Sequence, residues 1–131
     1  IRTACVVRWP ARLKAGTVCR EPVANIDFLP MFLAAADIEL PGDRVIDGRN
    51  PTRTLAGEAP SPHKTLFFEF RKWSGARSGR WKIVRPQFGQ PFELYDLKTD
   101  WREKNNLASD RPEIAKELSL RFDRWREELN R

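Results

Sequence analysis

Cys5-Val6-Val7-Arg8-Trp9 is apolar and β-branched and is stopped by Pro10, a pattern that predicts a short buried strand. A basic loop follows over Ala11–Gly16, with Gly16 as its turn residue, and Val18–Ala24, which carries Pro22, reads as extended. The next pattern is helical. Phe28, Leu29, Phe32, Leu33 and Ala36 fall on one face of a 3.6-residue period. Asp27 is the expected N-cap, which puts Pro30 at the third helical position, where no intrahelical N–H is needed. The stripe ends near Asp37. Strand, loop and helix in that order have the texture of an α/β layer.

Pro41–Pro62 breaks the periodicity with four prolines (Pro41, Pro51, Pro60, Pro62) and three glycines (Gly42, Gly48, Gly57). This predicts a long surface connection with a short turn of helix at Arg53–Leu55. A connection of this length is usually functional or marks a boundary.

The texture then becomes antiparallel β. Thr65–Phe70 reads as a strand and Ala76–Ser78 as a short one that turns at Gly79. Arg80–Arg85 alternates, with Trp81, Ile83 and Arg85 on one face and Lys82 and Val84 on the other. Phe92–Leu97 alternates too, with Phe92, Leu94 and Asp96 set against Glu93, Tyr95 and Leu97. A sheet of three or four strands with one apolar face needs a cover. Ile114, Leu118, Phe122, Trp125 and Leu129 recur at steps of 4, 4, 3 and 4 and supply it from a C-terminal helix over residues 111–129. Asp110 and Glu113 have capping-box spacing before it, with Pro112 in the first turn. The expected organisation is therefore residues 1–60 as strand, helix and loop of an α/β layer and residues 61–131 as a small antiparallel sheet with its helix. As a piece by itself this is an α+β chain.

Composition narrows the function classes. The chain has 131 residues, 40% hydrophobic and 32% charged, which suits a soluble globular chain of one domain or two small lobes. No apolar run reaches 18 residues, so no membrane-spanning helix is expected. Two cysteines exclude a disulfide-dense secreted scaffold, and one histidine with two cysteines argues against a structural zinc site. Cys5 and Cys19 read as small buried hydrophobes or as a pair, and they leave the compartment open. The chain opens at Ile1 without an initiator Met or a signal peptide, which reads as a mature product or as a piece of something longer.

The net charge is +6. Much of the excess lies in Lys64, Arg71, Lys72, Arg77, Arg80, Lys82 and Arg85, with Glu69 the one acidic residue among them. Such a stretch attracts anions or forms a solvated basic face. His63, after Pro60-Ser61-Pro62, reads as an exposed or capping loop histidine or as a hydrogen-bond donor to an anionic ligand. Asp96 and Asp100 flank a turn and are expected to bond their own backbone. Asp37, Asp43 and Asp47 are too scattered to make a metal site. Trp73 and Trp101 fall in expected turns and suit exposed contacts. Aromatics among basic strand residues also suit single-stranded nucleic acid, but no recognisable motif accompanies them. Neither a nucleic-acid nor a membrane partner is expected. No Gly-rich phosphate loop and no nucleophile elbow is present.

The order of segments resembles the C-terminal part of sulfatases of the arylsulfatase type, in the alkaline-phosphatase-like superfamily. Ile1-Arg2 with Val6-Val7-Arg8-Trp9-Pro10 is similar to the end of the family's GGIR stretch. Ile26-Asp27-Phe28-Leu29-Pro30 resembles its D-(L/I)-(L/F)-P helix start, and Leu40-Pro41 with Asp47-Gly48 its LP…DG loop. Ser61-Pro62-His63 with Leu66-Phe67-Phe68 resembles the entry to its small C-terminal sheet. Arg77 with Gly79-Arg80-Trp81-Lys82-Ile83 resembles R-x-G-x-W-K-(L/I). Glu93-Leu94-Tyr95-Asp96-Leu97, Asp100, Glu103 and Asn106-Leu107 resemble ELYDL-x-x-D-P-x-E-x-x-N-L. The chain departs at Ala11, Met31, Asp37 and Trp101, where Gly, Thr, Gly and Pro are usual, and at Arg49-Asn50-Pro51 after the Asp-Gly pair.

The resemblance implies the C-terminal portion of an enzyme that hydrolyses sulfate esters. Residues 1–60 would then be the end of its large α/β domain, and residues 61–131 a subdomain beside the active-site mouth that helps shape the substrate pocket. The family's formylglycine comes from a C/S-x-P-S-R motif, which neither Cys5 nor Cys19 fits. Its calcium ligands and catalytic lysine also precede the matching segments. No catalytic residue, metal ligand or cofactor is therefore expected in this chain; calcium and formylglycine are expected in an N-terminal domain. His63, Arg77 and Lys82 are the substrate-binding candidates. The implied partners are a sulfate-ester substrate and the N-terminal catalytic domain, and many bacterial members are exported. The alternative is a non-catalytic anion-binding or interaction module derived from a sulfatase.

Overall fold

The computed structural model describes residues 3–129, so Ile1-Arg2 of the first resembling segment lie outside the described residues. The chain divides into two compact units that meet in sequence between His63 and Lys64.

In the first unit a 3-10 turn, Asn25–Asp27, runs into helix α1, Phe28–Ala35. Asp27 takes the N-cap position and Pro30 the third helical position, as the sequence predicts, but the Asp27 side chain makes no cap bond to α1. Pro30 and Met31 are the buried residues of the helix, whereas Leu29 and Phe32 are exposed. The helix stops where Asp37 takes a left-handed φ of 55° and the Ile38 amide donates to the Leu33 carbonyl at 2.9 Å. That bond is a Schellman closure, made here without the usual glycine.

Two expectations for this unit need correction. Cys5–Trp9 is not a buried strand: the segment has no ladder partner among the described residues, and Val6 is 94% exposed. An apolar run becomes a strand only where its amides find a neighbour to bond. The Pro41–Pro62 connection is also not wholly on the surface, since Gly48, Pro51 and Thr54 are buried. The expected turn of helix is α2, Thr52–Leu55. It starts where Asn50 Oδ1 accepts from the Thr52 amide at 3.0 Å and the Thr52 hydroxyl at 2.6 Å. Cys5 and Cys19 are exposed free thiols.

The second unit is a four-stranded antiparallel meander in the order β1-β2-β3-β4: Leu66–Phe70, Trp73–Ser78, Trp81–Arg85 and Glu93–Asp96. Phe67, Ala76, Ile83 and Leu94 lie in one register row across it. The helix α3, Pro112–Leu129, lays Leu118 and Phe122 on that row. Phe122 meets Phe92 edge-on at 5.4 Å, and Phe67 stacks on Trp125 at 5.1 Å. Ile114 and Trp125 are half-buried, while Leu129, at the foot of the predicted stripe, is exposed. The helix begins at Pro112, so Arg111 rather than Asp110 sits at the N-cap.

Trp73 is not in a turn. It opens β2, because the β1–β2 connection is only Arg71-Lys72, with Arg71 at φ 55°. A two-residue hairpin turn needs positive φ, normally supplied by Gly or Asn, and this sequence offers neither there. The outer edge of β4 is covered: the Leu94 amide donates to Asn106 Oδ1 at 3.0 Å, and the Leu107 amide donates to the Leu94 carbonyl at 2.8 Å. That covering removes an exposed edge on which another strand could pair.

Candidate functional site

In the first unit the loops converge on one carboxylate. Asp27 is fully buried. Its Oδ2 accepts from the Ala24 amide at 2.8 Å, and its Oδ1 accepts from the Arg49 amide at 2.8 Å. Its third partner is His63, whose Nε2 lies 2.6 Å from Oδ1. A buried charge is tolerated only when it is paired and hydrogen-bonded, and Asp27 is both. The Pro-rich loop is tied down around it. The Thr54 hydroxyl donates to the Pro60 carbonyl at 2.7 Å, the Ser61 hydroxyl to the Pro22 carbonyl at 2.6 Å, and Arg49 Nη1 to the Pro62 carbonyl at 3.0 Å. The His63 side chain is only 9% exposed.

In the second unit Arg77 and Lys82 are cross-strand partners, so their side chains share the sheet face opposite α3. Lys82 is buried, and its Nζ reaches both oxygens of Glu103, at 2.6 and 2.7 Å. The same ammonium lies 5.9 Å from the centre of the Trp73 ring. Glu103 holds a left-handed φ of 55°, a conformation that costs a non-glycine residue about 1 kcal/mol and persists where the surroundings enforce it. Arg77 Nε donates to the Gly79 carbonyl at 3.1 Å. On this face the Tyr95 hydroxyl donates to Glu93 Oε2 at 2.7 Å. Burial first, then that bond and the nearby carboxylates, push the Tyr95 phenol well above its ordinary value.

A third cluster lies at the β3–β4 end. Arg80 grips Asp96 through both Nε and Nη2, and Asp96 also accepts from the Lys98 amide at 3.1 Å and the Thr99 hydroxyl at 3.0 Å. The Arg80 bond, helped by those donors, holds the Asp96 carboxyl well below the usual carboxylate range despite its burial. A depressed folded value gives stability that is complete above the unfolded value of about 4 and is lost as the pH falls through the folded one. Asp96→Asn is therefore expected to flatten the acid limb of a stability profile taken from pH 5 to pH 2. An unchanged acid limb in that variant contradicts the pairing. Asp100 behaves as the sequence predicts, with Oδ2 accepting from the Lys104 and Asn105 amides, both at 2.8 Å.

The structure thus brings Arg77 and Lys82 together, while His63 belongs to the other unit. Sequence reading missed the carboxylates that engage these clusters. Asp27 read as a helix cap and Glu103 only as a position of the ELYDL-x-x-D-P-x-E-x-x-N-L resemblance, because their partners lie 36 and 21 positions away. Among the described residues no three His, Cys, Asp or Glu side chains gather to hold a metal ion. No described helix is long and apolar enough to cross a membrane.

Comparison with known proteins gives one consistent picture. The family model described as N-sulphoglucosamine sulphohydrolase, C-terminal, matches residues 1–128. The chain is 47% identical to the mouse (Mus musculus) steryl-sulfatase over 68 residues, which are 51% of this chain and 11% of that protein. It is 29% identical to an N-acetylglucosamine-6-O-sulfatase of Bacteroides thetaiotaomicron over 119 residues, covering 81% of this chain and 21% of the enzyme. The solved structure of BT4656 in complex with its substrate, D-glucosamine-2-N,6-O-disulfate, superposes with a TM-score of 0.75 at 27% identity, over 92% of this chain and 27% of that one. The chain therefore spans about a quarter or less of the length of these relatives.

Proposed function

The chain belongs to the sulfatase C-terminal domain family that bears the name of N-sulphoglucosamine sulphohydrolase, and from that premise we propose that it is the C-terminal part of an enzyme hydrolysing sulfate esters. The observation that carries this reading is the match across nearly the whole chain, together with the small share of each relative that the chain covers. In this reading the nucleophile and the metal site belong to sequence outside these residues. Sulfate-ester hydrolysis needs an activated nucleophile and cations around the transferring group. Neither Cys5 nor Cys19 sits in a C-x-P-S-R motif, and the described residues do not fit a calcium site.

This portion would contribute the end of a large α/β domain over residues 1–60 and a pocket-shaping subdomain over residues 61–131. The exposed apolar side chains of Leu29, Phe32 and Val45 support the first assignment, since large exposed apolar surfaces mark sites that other polypeptide covers. His63, Arg77 and Lys82 remain the substrate-side candidates. Of the three, Lys82 is already neutralised by Glu103, so any contact it makes with a sulfated ligand comes through a paired ammonium. The same pairing, and that of Arg80 with Asp96, weakens the alternative of a freestanding anion-binding module, because two cations of the basic stretch are already committed.

The test is sulfate release by the polypeptide that contains this chain, assayed on an aryl sulfate and on a 6-O-sulfated glucosamine. Turnover that a chelator abolishes is the expected result. A folded protein that turns over neither ester, nor a steryl sulfate, contradicts the proposal.

A further inference from the structure

We propose that Asp27 is a positioning residue for His63: it holds the imidazole by Nε2 so that Nδ1 presents a hydrogen-bond acceptor to a hydroxyl or N–H group of the sulfated substrate. This rests on the sulfatase reading above and assigns His63 a chemistry that the sequence does not.

The assignment follows from counting donors. Both oxygens of Asp27 already accept from backbone amides, Ala24 on Oδ2 and Arg49 on Oδ1. An ionised carboxylate only accepts, so the ring nitrogen 2.6 Å from Oδ1 is the N–H. When the ring carries one proton, that proton therefore sits on Nε2 and Nδ1 is the acceptor. Nδ1 enters none of the hydrogen bonds found among the described residues.

The backbone around the ring is pinned as well. The His63 amide donates to the Ser61 hydroxyl oxygen at 3.3 Å, and the preceding Pro62 carbonyl accepts from Arg49. Gly48 lets this happen, because a side chain there would keep the Arg49 amide from reaching Asp27: a Cβ would stand 2.0 Å from the Ile26 carbonyl oxygen. A ring held in one tautomer and one orientation is what a binding group requires. The group that suits an acceptor is a donor, a sugar hydroxyl or N–H, rather than an oxygen of the sulfate itself.

His63 is the one histidine of these 131 residues, and in the longer protein its imidazole resonances are identified by their loss in His63→Gln. In 15N-histidine-labelled protein at neutral pH, the expected signature is one water-protected Nε2–H and an unprotonated Nδ1, with the protection lost in Asp27→Asn. A proton on Nδ1, or an Nε2–H that exchanges as freely in the natural protein as in the variant, overturns the positioning role.

The second arm uses His63→Gln in the enzyme that contains this chain. The Gln amide N–H can still donate to Asp27, but nothing then stands at Nδ1. The expected result is an unchanged melting temperature with KM for a sulfated glucosamine raised about tenfold and kcat much less affected, the size of one lost hydrogen bond. A folded His63→Gln enzyme with unchanged KM overturns the substrate contact and leaves a purely structural clamp. If His63→Gln lowers the melting temperature, the kinetics are read below the new transition: a raised KM with kcat held supports the contact, and an unchanged KM overturns it. An enzyme with no sulfatase turnover at all strikes the reading beneath this proposal, and the resonance experiment still decides what Asp27 does.

Discussion

Phe122→Ala is expected to destabilise the sheet-and-helix unit by about 3–5 kcal/mol, the cost of removing a large buried aromatic and leaving most of its cavity behind. Phe122 is fully buried, sits between Phe92 and Trp125 at ring distances of 5.4 Å, and reaches Phe67 at 6.4 Å. Through its ring α3 meets Phe67 of β1 and Phe92 at the entry to β4. A domain of this size has about 5–15 kcal/mol in total, so the variant gives up a large share of it. The measurement is a urea titration followed by tryptophan fluorescence, to which Trp125 beside the lost ring reports directly. The midpoint should fall while the slope holds. Leu120→Ala, on the exposed side of the same helix, should shift stability by no more than about 0.5 kcal/mol. A Phe122→Ala loss under about 1 kcal/mol contradicts the packing described.

Gly48→Ala is expected to cost about 3 kcal/mol in the first unit, through close approach of backbone rather than through conformation. The added Cβ would stand 2.0 Å from the Ile26 carbonyl oxygen, 2.6 Å from its carbon and 3.2 Å from the Asp27 amide. None of these atoms is the end of a flexible side chain. The loop must move away, and the Arg49 amide then leaves Asp27 Oδ1. Overpacking costs about 1–3 kcal/mol, and a buried acceptor stripped of its donor adds a similar amount. Gly42→Ala makes the comparison, since nothing lies within 4 Å of a Cβ there. It should be neutral or slightly stabilising, because alanine restricts the unfolded chain. Equal effects at the two glycines contradict the geometry of the Asp27 cluster.

Much of the second unit was legible because its signals are local. The alternation in Arg80–Arg85 and Phe92–Leu97 gives β3 and β4 with the correct faces, and Gly79 at φ 55° marks the turn between β2 and β3. The spacing of Leu118 and Phe122 gives the buried stripe of α3. The β1–β2 hairpin was harder, since Arg71 adopts positive φ without a glycine to announce it, so Trp73 read as a turn residue. Cys5–Trp9 has the composition of a strand but no partner among the described residues, and composition cannot supply a neighbour. The clusters were the least legible. Asp27 with His63, and Lys82 with Glu103, are made by the folding of distant segments, and nothing in their local spacing points to the pairing.

The central claim is that this chain is the C-terminal part of a sulfatase whose catalytic residues are encoded elsewhere in the same protein. Reading the coding DNA upstream of Ile1 tests it most directly. The account predicts an in-frame extension of a few hundred codons, roughly two further domain lengths, carrying a C/S-x-P-S-R motif and a lysine shortly before Ile1. A stop codon or a start codon close upstream contradicts it, and the chain would then be a module whose sheet and loops serve some purpose other than sulfate-ester hydrolysis.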